Sequence, residues 1–279
     1  MWYILGSTDG FSAADWGLYS TEISDFPVCE DYDGDGKWDI AVWRVNYTNE
    51  LQTYFYIFYT ETNTFQAIPW GLRLDYPIPQ DYDGDGKADI AVTRGDASGH
   101  TWYILQSTDG LRIERFGLSG DQAIRGDYDS DGKADLALYR RDVQTFRGDY
   151  TFYIKRSTDG SWIAEQFGYA QADFAAPGDY DGDGKHDIAV WRGRDEFGNG
   201  VWYWHRSSDG AYDQIKWGLT HTPEFPAQGD YDGDGKTDAA VWRRGAGSGD
   251  QSFFYINKSS GGFLAIPWGL GQDGPARLF

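Results

Sequence analysis

Five near-copies of one segment recur along the 279 residues: DYDGDGKWDIAVWR from Asp31, DYDGDGKADIAVTR from Asp81, DYDSDGKADLALYR from Asp127, DYDGDGKHDIAVWR from Asp179 and DYDGDGKTDAAVWR from Asp230. Two other elements keep the same step. An aromatic run such as WYILQSTDG from Trp102 or FYIKRSTDG from Phe152 recurs, as do aromatic-Gly pairs at Trp16-Gly17, Trp70-Gly71, Phe116-Gly117, Phe167-Gly168, Trp217-Gly218 and Trp268-Gly269. A unit of roughly 50 residues repeated from end to end predicts stacked supersecondary units and leaves no room for a second kind of domain, so residues 1–279 read as one domain.

Each unit reads as four short strands. Strand A is the stretch ending in Asp-Tyr, such as Phe26 to Tyr32. Strand B runs from Asp39 to Arg44, C is the aromatic-Tyr-Ile run, and D ends at the aromatic-Gly pair. B and C are β-branched or aromatic, too short for helices, and bounded by Gly, Asp and Ser turns. Ile40, Ala41, Val42 and Trp43 are apolar in succession, so strand B is covered on both faces. Small four-stranded antiparallel sheets that cover one another make an all-β fold, a β-propeller. The chain opens with C and D (Trp2 to Leu18), runs through five full units and stops within an A-like stretch, Gly274 to Phe279. That implies six blade positions, five complete and one split between the termini. A truncated larger propeller and a five-blade ring with a stray hairpin remain alternatives.

The acidic loop carries the chemistry. In Asp31-Tyr32-Asp33-Gly34-Asp35-Gly36-Lys37-Trp38-Asp39, carboxylates stand at positions 1, 3, 5 and 9, Gly at 6 allows a sharp turn, and Lys37 at position 7 offers a backbone carbonyl. The bidentate Glu that would close a helix-loop-helix calcium loop at position 12 is replaced by Val42, so Asp39 has to close the site. Hard oxygen donors select Ca²⁺; zinc would want His or Cys, and Mg²⁺ keeps more of its water. The same set recurs as Asp81, Asp83, Asp85, Lys87 and Asp89, then as Asp127, Asp129, Asp131, Lys133 and Asp135. It returns as Asp179, Asp181, Asp183, Lys185 and Asp187, and as Asp230, Asp232, Asp234, Lys236 and Asp238. One such loop would pass for a solvated turn; five with the same four Asp predict about five Ca²⁺ sites. Four Asp in each of five loops match the formal charge of −20 in size, so the acidity describes these loops.

At these residues the chain resembles the FG-GAP or VCBS-type repeats of bacterial surface and secreted proteins, related to the integrin α-subunit propeller. The aromatic-Gly pairs match the FG element, and the DxDxDGxxD loop before an apolar strand matches the calcium cage. The resemblance covers nearly the whole chain and implies a calcium-loaded β-propeller with these aspartates as ligands. Ser130 departs from it by replacing the first loop Gly, and strand B ends in Trp-Arg or its like where the family has GAP.

Charge and composition exclude some partners. A chain at −20 lacks the clustered Lys and Arg that phosphate binding needs, which argues against nucleic acid. No apolar run approaches the roughly 20 residues of a membrane helix, so membrane insertion is not expected, and Met1-Trp2-Tyr3 does not open a signal peptide. Because strands alternate in direction, calcium loops and C–D turns share one end of the blades, and the B–C and D–A connections share the other. The B–C connections vary in length and charge, and binding groups usually sit on variable loops held by a rigid scaffold. Tyr47, His100, Phe146, Arg147, Arg194 and Phe197 are the candidate ligand-binding residues there. The expected function is a non-catalytic, secreted or cell-surface module that binds a glycan or a surface protein. The alternative is a lyase-like enzyme acting on polysaccharides; it would need a base and a charge-neutralising group in one cleft, and no such motif stands outside the acidic loops.

Overall fold

The structure, a computed structural model, describes residues 1–6, 10–18, 20–48, 51–142, 148–193, 198–219 and 224–275. It is all-β. A hairpin of β1 (Trp2–Gly6) and β2 (Gly10–Ala14) precedes five antiparallel four-stranded sheets. The first holds β3 (Ile23–Pro27), β4 (Ile40–Asn46), β5 (Gln52–Tyr59) and β6 (Thr64–Leu72). The second holds β7 (Tyr76–Pro77), β8 (Ile90–Asp96), β9 (Gly99–Gln106) and β10 (Gly110–Arg115). The third holds β11 (Gln122–Ile124), β12 (Leu136–Asp142), β13 (Asp149–Lys155) and β14 (Trp162–Tyr169). The fourth holds β15 (Asp173–Ala175), β16 (Ile188–Arg192), β17 (Asn199–His205) and β18 (Tyr212–Leu219). The fifth holds β19 (Glu224–Pro226), β20 (Ala239–Arg243), β21 (Gln251–Asn257) and β22 (Phe263–Leu270). These sheets, each in the order A-B-C-D, are the blades of a β-propeller. No helix among the described residues is long and apolar enough to cross a membrane.

Packing divides the chain into two compact units, residues 1–96 with 101–115 and residues 97–100 with 116–279. In the first, Val28, Trp43, Phe55 and Ile57 of one blade meet Ala88, Ile90 and Val92 of the next. In the second, Phe152 and Ile154 pack against Ile188 and Val190, and Trp191 and Trp202 against Ala239 and Val241. The apolar run of strand B is buried throughout, because both of its faces lie under neighbouring residues.

Strand A begins and ends earlier than the sequence suggests: β3 covers Ile23 to Pro27, and not the stretch to Tyr32. Beyond Pro27 the chain stays bonded to strand B, with Val28 N–H donating to Ala41 O at 2.9 Å and Asp39 N–H to Glu30 O at 2.7 Å, while it bends toward the acidic loop. Residues 276–279, the end of the A-like stretch assigned to a split blade, lie outside the described residues.

The aromatic-Gly pairs of the five four-stranded blades are β-bulges. In the first blade Gln52 pairs with Leu72 but Tyr54 pairs with Pro69, so the extra residue of the D strand falls at Trp70-Gly71. Gly71 takes φ 85°, which a side chain would resist. The bulge aims the next amide at an acid that sequence inspection passed over. Leu72 N–H donates to Asp75 Oδ2 at 2.7 Å, and Arg94 at the end of strand B grips both oxygens of Asp75 at 2.6 and 2.8 Å. The corner recurs with Asp25 and Arg44, Asp121 and Arg140, Asp173 and Arg192, and Glu224 and Arg243. Each guanidinium also lies 4.1–4.7 Å from a strand C tyrosine ring, at Tyr56, Tyr103, Tyr153, Tyr203 and Tyr255. This explains the arginine that ends strand B in every repeat.

Gly117 is the tightest of these bulges. A Cβ there would lie 2.3 Å from Leu138 Cδ2, and its φ is 111°. Gly117→Ala is therefore expected to destabilise by about 2–4 kcal/mol, from backbone strain plus overpacking against a fully buried leucine. A urea midpoint unchanged from wild type would contradict this reading of the bulge.

Candidate metal centres

The acidic loops fold on their own carboxylates. Asp31 Oδ1 accepts Gly34 N–H at 2.7 Å and its Oδ2 accepts Gly36 N–H at 2.8 Å, while Asp35 Oδ1 accepts Lys37 N–H at 2.7 Å. Gly34 and Gly36 take φ of 82° and 83°, so the loop curls around the position 1 carboxylate. Ser130, the one departure, holds the same left-handed conformation at φ 63° and its amide bonds Asp127 Oδ1 at 2.6 Å. The Tyr at position 2 anchors the loop base: Tyr82 is 1% exposed and its hydroxyl donates to Ile78 O at 2.9 Å.

Position 9 closes each loop. Asp89 is buried, with Oδ2 accepting Tyr82 N–H at 2.9 Å and Oδ1 accepting Ser107 N–H from the C–D turn at 2.7 Å. Asp39 does the same with Tyr32 and Thr60, Asp135 with Tyr128 and Ser157, Asp187 with Tyr180 and Ser207, and Asp238 with Tyr231 and Ser259.

In every loop three carboxylates offer oxygens within 4.8 Å of one another: Asp31, Asp33 and Asp39; Asp81, Asp83 and Asp85; Asp127, Asp129 and Asp135; Asp179, Asp181 and Asp187; Asp230, Asp232 and Asp234. Sequence reading missed the second half of the site. Ser107 Oγ donates to Asp85 Oδ2 at 2.6 Å and Thr108 N–H to Asp83 Oδ2 at 3.0 Å; Ser157 and Thr158, Ser207 and Ser208, and Ser259 and Ser260 reach their own loops in the same way. The signal was present in the repeated Ser-Thr or Ser-Ser at the C–D turn. The first blade has Thr60-Glu61 there, and Lys37 Nζ turns to Glu61 at 2.9 Å. The position 7 lysines are placed by their amides, which bond the position 5 carboxylates at 2.7–2.9 Å in Lys37, Lys87, Lys133, Lys185 and Lys236.

The donor set fits a hard divalent cation. Asp83 Oδ1 and Asp129 Oδ1 are buried and accept no hydrogen bond among the described residues, a costly state for a carboxylate oxygen unless a cation faces it. Burial first, then repulsion from the neighbouring aspartates, pushes Asp89 from the ordinary 3.8 up to about 6, although two backbone amides oppose the shift. Asp135 and Asp187 are raised to about 6 mainly by burial as well.

These shifts set a pH dependence. A metal-free folded chain binds these protons more tightly than the unfolded chain. Its stability is therefore unpenalised below pH 4, falls as pH rises from about 4 through 6, and carries the full cost above. For metal binding the order reverses, because the ligand form is the carboxylate. The dissociation constant of a divalent cation at the loops closed by Asp89, Asp135 and Asp187 is expected to rise about tenfold from pH 7 to pH 5; equal constants in calorimetric titrations with Ca²⁺ at the two pH values would contradict it.

The variable-loop candidates separate. Tyr47 is 45% exposed just beyond β4. His100 is not a loop residue: β8 and β9 are joined by a two-residue turn at 97–98, and His100 lies inside β9, 5% exposed, bonded through its backbone to Gly117 O and Phe116 N–H. Burial lowers its pKa and keeps it neutral. Phe146, Arg147, Arg194 and Phe197 lie outside the described residues.

A model of the FG-GAP-like repeat family matches residues 179–241, spanning the fourth acidic loop, its blade and the start of the fifth. That segment, less than a quarter of the chain, carries the FG-GAP-like repeat signature. The fourth and fifth acidic loops fall inside the match, and the other three repeat their geometry. A search of curated proteins finds no relative. Among solved structures, AofleA from Arthrobotrys oligospora is similar at a TM-score of 0.54 and 13% identity, over 88% of this chain and 73% of that one. The V. cholerae biofilm matrix protein Bap1 is matched at a TM-score of 0.37 and 16% identity, over 88% of this chain and 39% of that one. The AofleA likeness is one of fold.

Proposed function

We propose that this protein is a calcium-stabilised, non-catalytic binding module for glycans, working outside the cytosol. The observation that carries the reading is the division of labour within each blade. One end is committed to the acidic loop and the hydroxyl clamp that meets it, as in Asp83, Asp85, Asp89, Ser107 and Thr108. The other end carries the B–C connections, which differ from blade to blade in length and charge. Loops of this hard-oxygen kind in extracellular modules bind Ca²⁺ at about 0.1–1 mM, far above cytosolic levels, which supports an external location.

An array of immobilised glycans, read with Ca²⁺ and with EDTA, tests the function. The wild type is expected to bind a subset of glycans in Ca²⁺. Asp83→Ala should lower metal stoichiometry by one and keep the same glycan profile, since it acts at the opposite end of the blade. Absence of binding to any glycan would end the reading.

A further inference from the structure

Two pockets occupy the same place in the repeat. One, of about 330 Å³, lies where β6 of the first blade meets β8 and β9 of the second, and Gln52, Trp70, Leu72, Arg94 and Tyr103 line it. The other, of about 410 Å³, lies where β14 of the third blade meets β16 and β17 of the fourth, with Gln166, Phe167, Arg192, Tyr203 and Tyr212 around it. Both volumes fall in the range of roughly 300–1,000 Å³ typical of small-ligand sites. Each sits beside the D–A corner, away from the acidic loop.

The chemistry of the walls narrows the ligand. Arg94 spends Nε and Nη2 on Asp75, whose side chain is 1% exposed, and rests on the Tyr103 ring; Arg192 does the same with Asp173 and Tyr203. The guanidinium is thus fixed and neutralised, with Nη1 left as a donor that bonds nothing among the described residues. In the first pocket Gln52 spends its Nε2 on Thr53 O and Gly71 O at 3.0 and 2.9 Å, which leaves its Oε1 as an acceptor, and in the second the Asp149 carboxylate stands at the same place in the blade as the acceptor. Fixed donors and acceptors beside aromatic walls suit a ring that carries hydroxyls on its edge and C–H groups on its face, since hydroxyls donate and accept and C–H groups meet the negative face of an aromatic ring. An anion gains little here, because the arginine is already paired and the chain carries a charge of −20. A wholly apolar ligand would leave the guanidinium donor unsatisfied.

We propose that these two pockets are saccharide subsites, each taking one neutral sugar residue. The proposal rests on the glycan-binding reading above and locates it between blades, not on the loop tips. Two subsites held rigidly in one chain would raise avidity for a polymer that presents the sugar repeatedly.

Saturation-transfer NMR with free galactose, glucose, mannose, fucose and N-acetylglucosamine tests the assignment, together with the array. Trp70→Ala is the direct variant, but Trp70 packs on the core and donates Nε1–H to Tyr103 O at 3.1 Å. Gln52→Ala combined with Tyr212→Ala avoids that risk, since Tyr212 is 68% exposed. Leu111→Ala, at an outer position 61% exposed, is the control. The expected result is saturation transfer to at least one sugar in wild type and control, and at least a tenfold loss of affinity in the double variant at an unchanged melting temperature. A double variant that binds like wild type overturns the subsites and leaves the glycan module standing. A wild type that binds neither the array nor the free sugars overturns both.

Discussion

Excess EDTA is expected to lower the melting temperature of this protein by about 15 °C or more. Each loop gathers three carboxylates within 4.8 Å, and the buried Asp83 Oδ1 and Asp129 Oδ1 accept no hydrogen bond among the described residues, so the clustered acids store repulsion that a cation removes. At ten times its dissociation constant a site adds about 1.4 kcal/mol, and five independent sites add about 7. At roughly 2–4 °C per kcal/mol that becomes the stated shift. The loops are also linked: Ala88 N–H donates to Asp31 O at 2.7 Å, His186 N–H to Asp127 O at 2.8 Å and Thr237 N–H to Asp179 O at 2.6 Å. Lys236 Nζ reaches Asp181 O at 2.8 Å. Loss of one ion therefore loosens the base of the next site, and partial chelation should broaden the transition. A melting temperature identical in EDTA and in Ca²⁺ would remove the metal reading of these loops.

The second large effect is expected at the corners. Arg192→Ala would leave Asp173, whose side chain is fully buried, with one backbone amide, from Tyr169, as its remaining side-chain bond among the described residues in place of a bidentate partner. Breaking a buried pair from one side costs about 3–5 kcal/mol, because the uncompensated charge stays behind. The cation–π contacts of Arg192 with Tyr169 and Tyr203, at 4.6 and 4.7 Å, vanish with it. Lys37→Ala is the contrast: its pair with Glu61 is about 60% exposed on both sides, and such pairs contribute about 0–1 kcal/mol. Urea unfolding of the two variants measures the difference. Equal midpoints would mean that the corner is ornamental.

Much of this molecule was legible in its sequence because its information is local and repeated. The DxDxDGxxD spacing determines which carboxylates can turn toward one centre, and its return in five loops marks it as more than a chance turn. The unbroken apolar run of Ile40 to Trp43 required cover on both faces, and the structure buries it so. The limits of strand A, the inclusion of His100 in β9 and the corner acids were not legible, since each is settled by partners far along the chain. Asp75 and Arg94 stand 19 residues apart with an acidic loop between them, and only strand pairing brings them together. The Ser107 and Thr108 hydroxyls likewise reach Asp85 across more than 20 residues. The sequence by itself determined the blade, its period and its acidic loops, because turn chemistry and burial patterns act over a few residues. Tertiary structure alone decided which second residues complete each loop and where pockets open between blades, because those depend on contacts between strands that no spacing rule specifies.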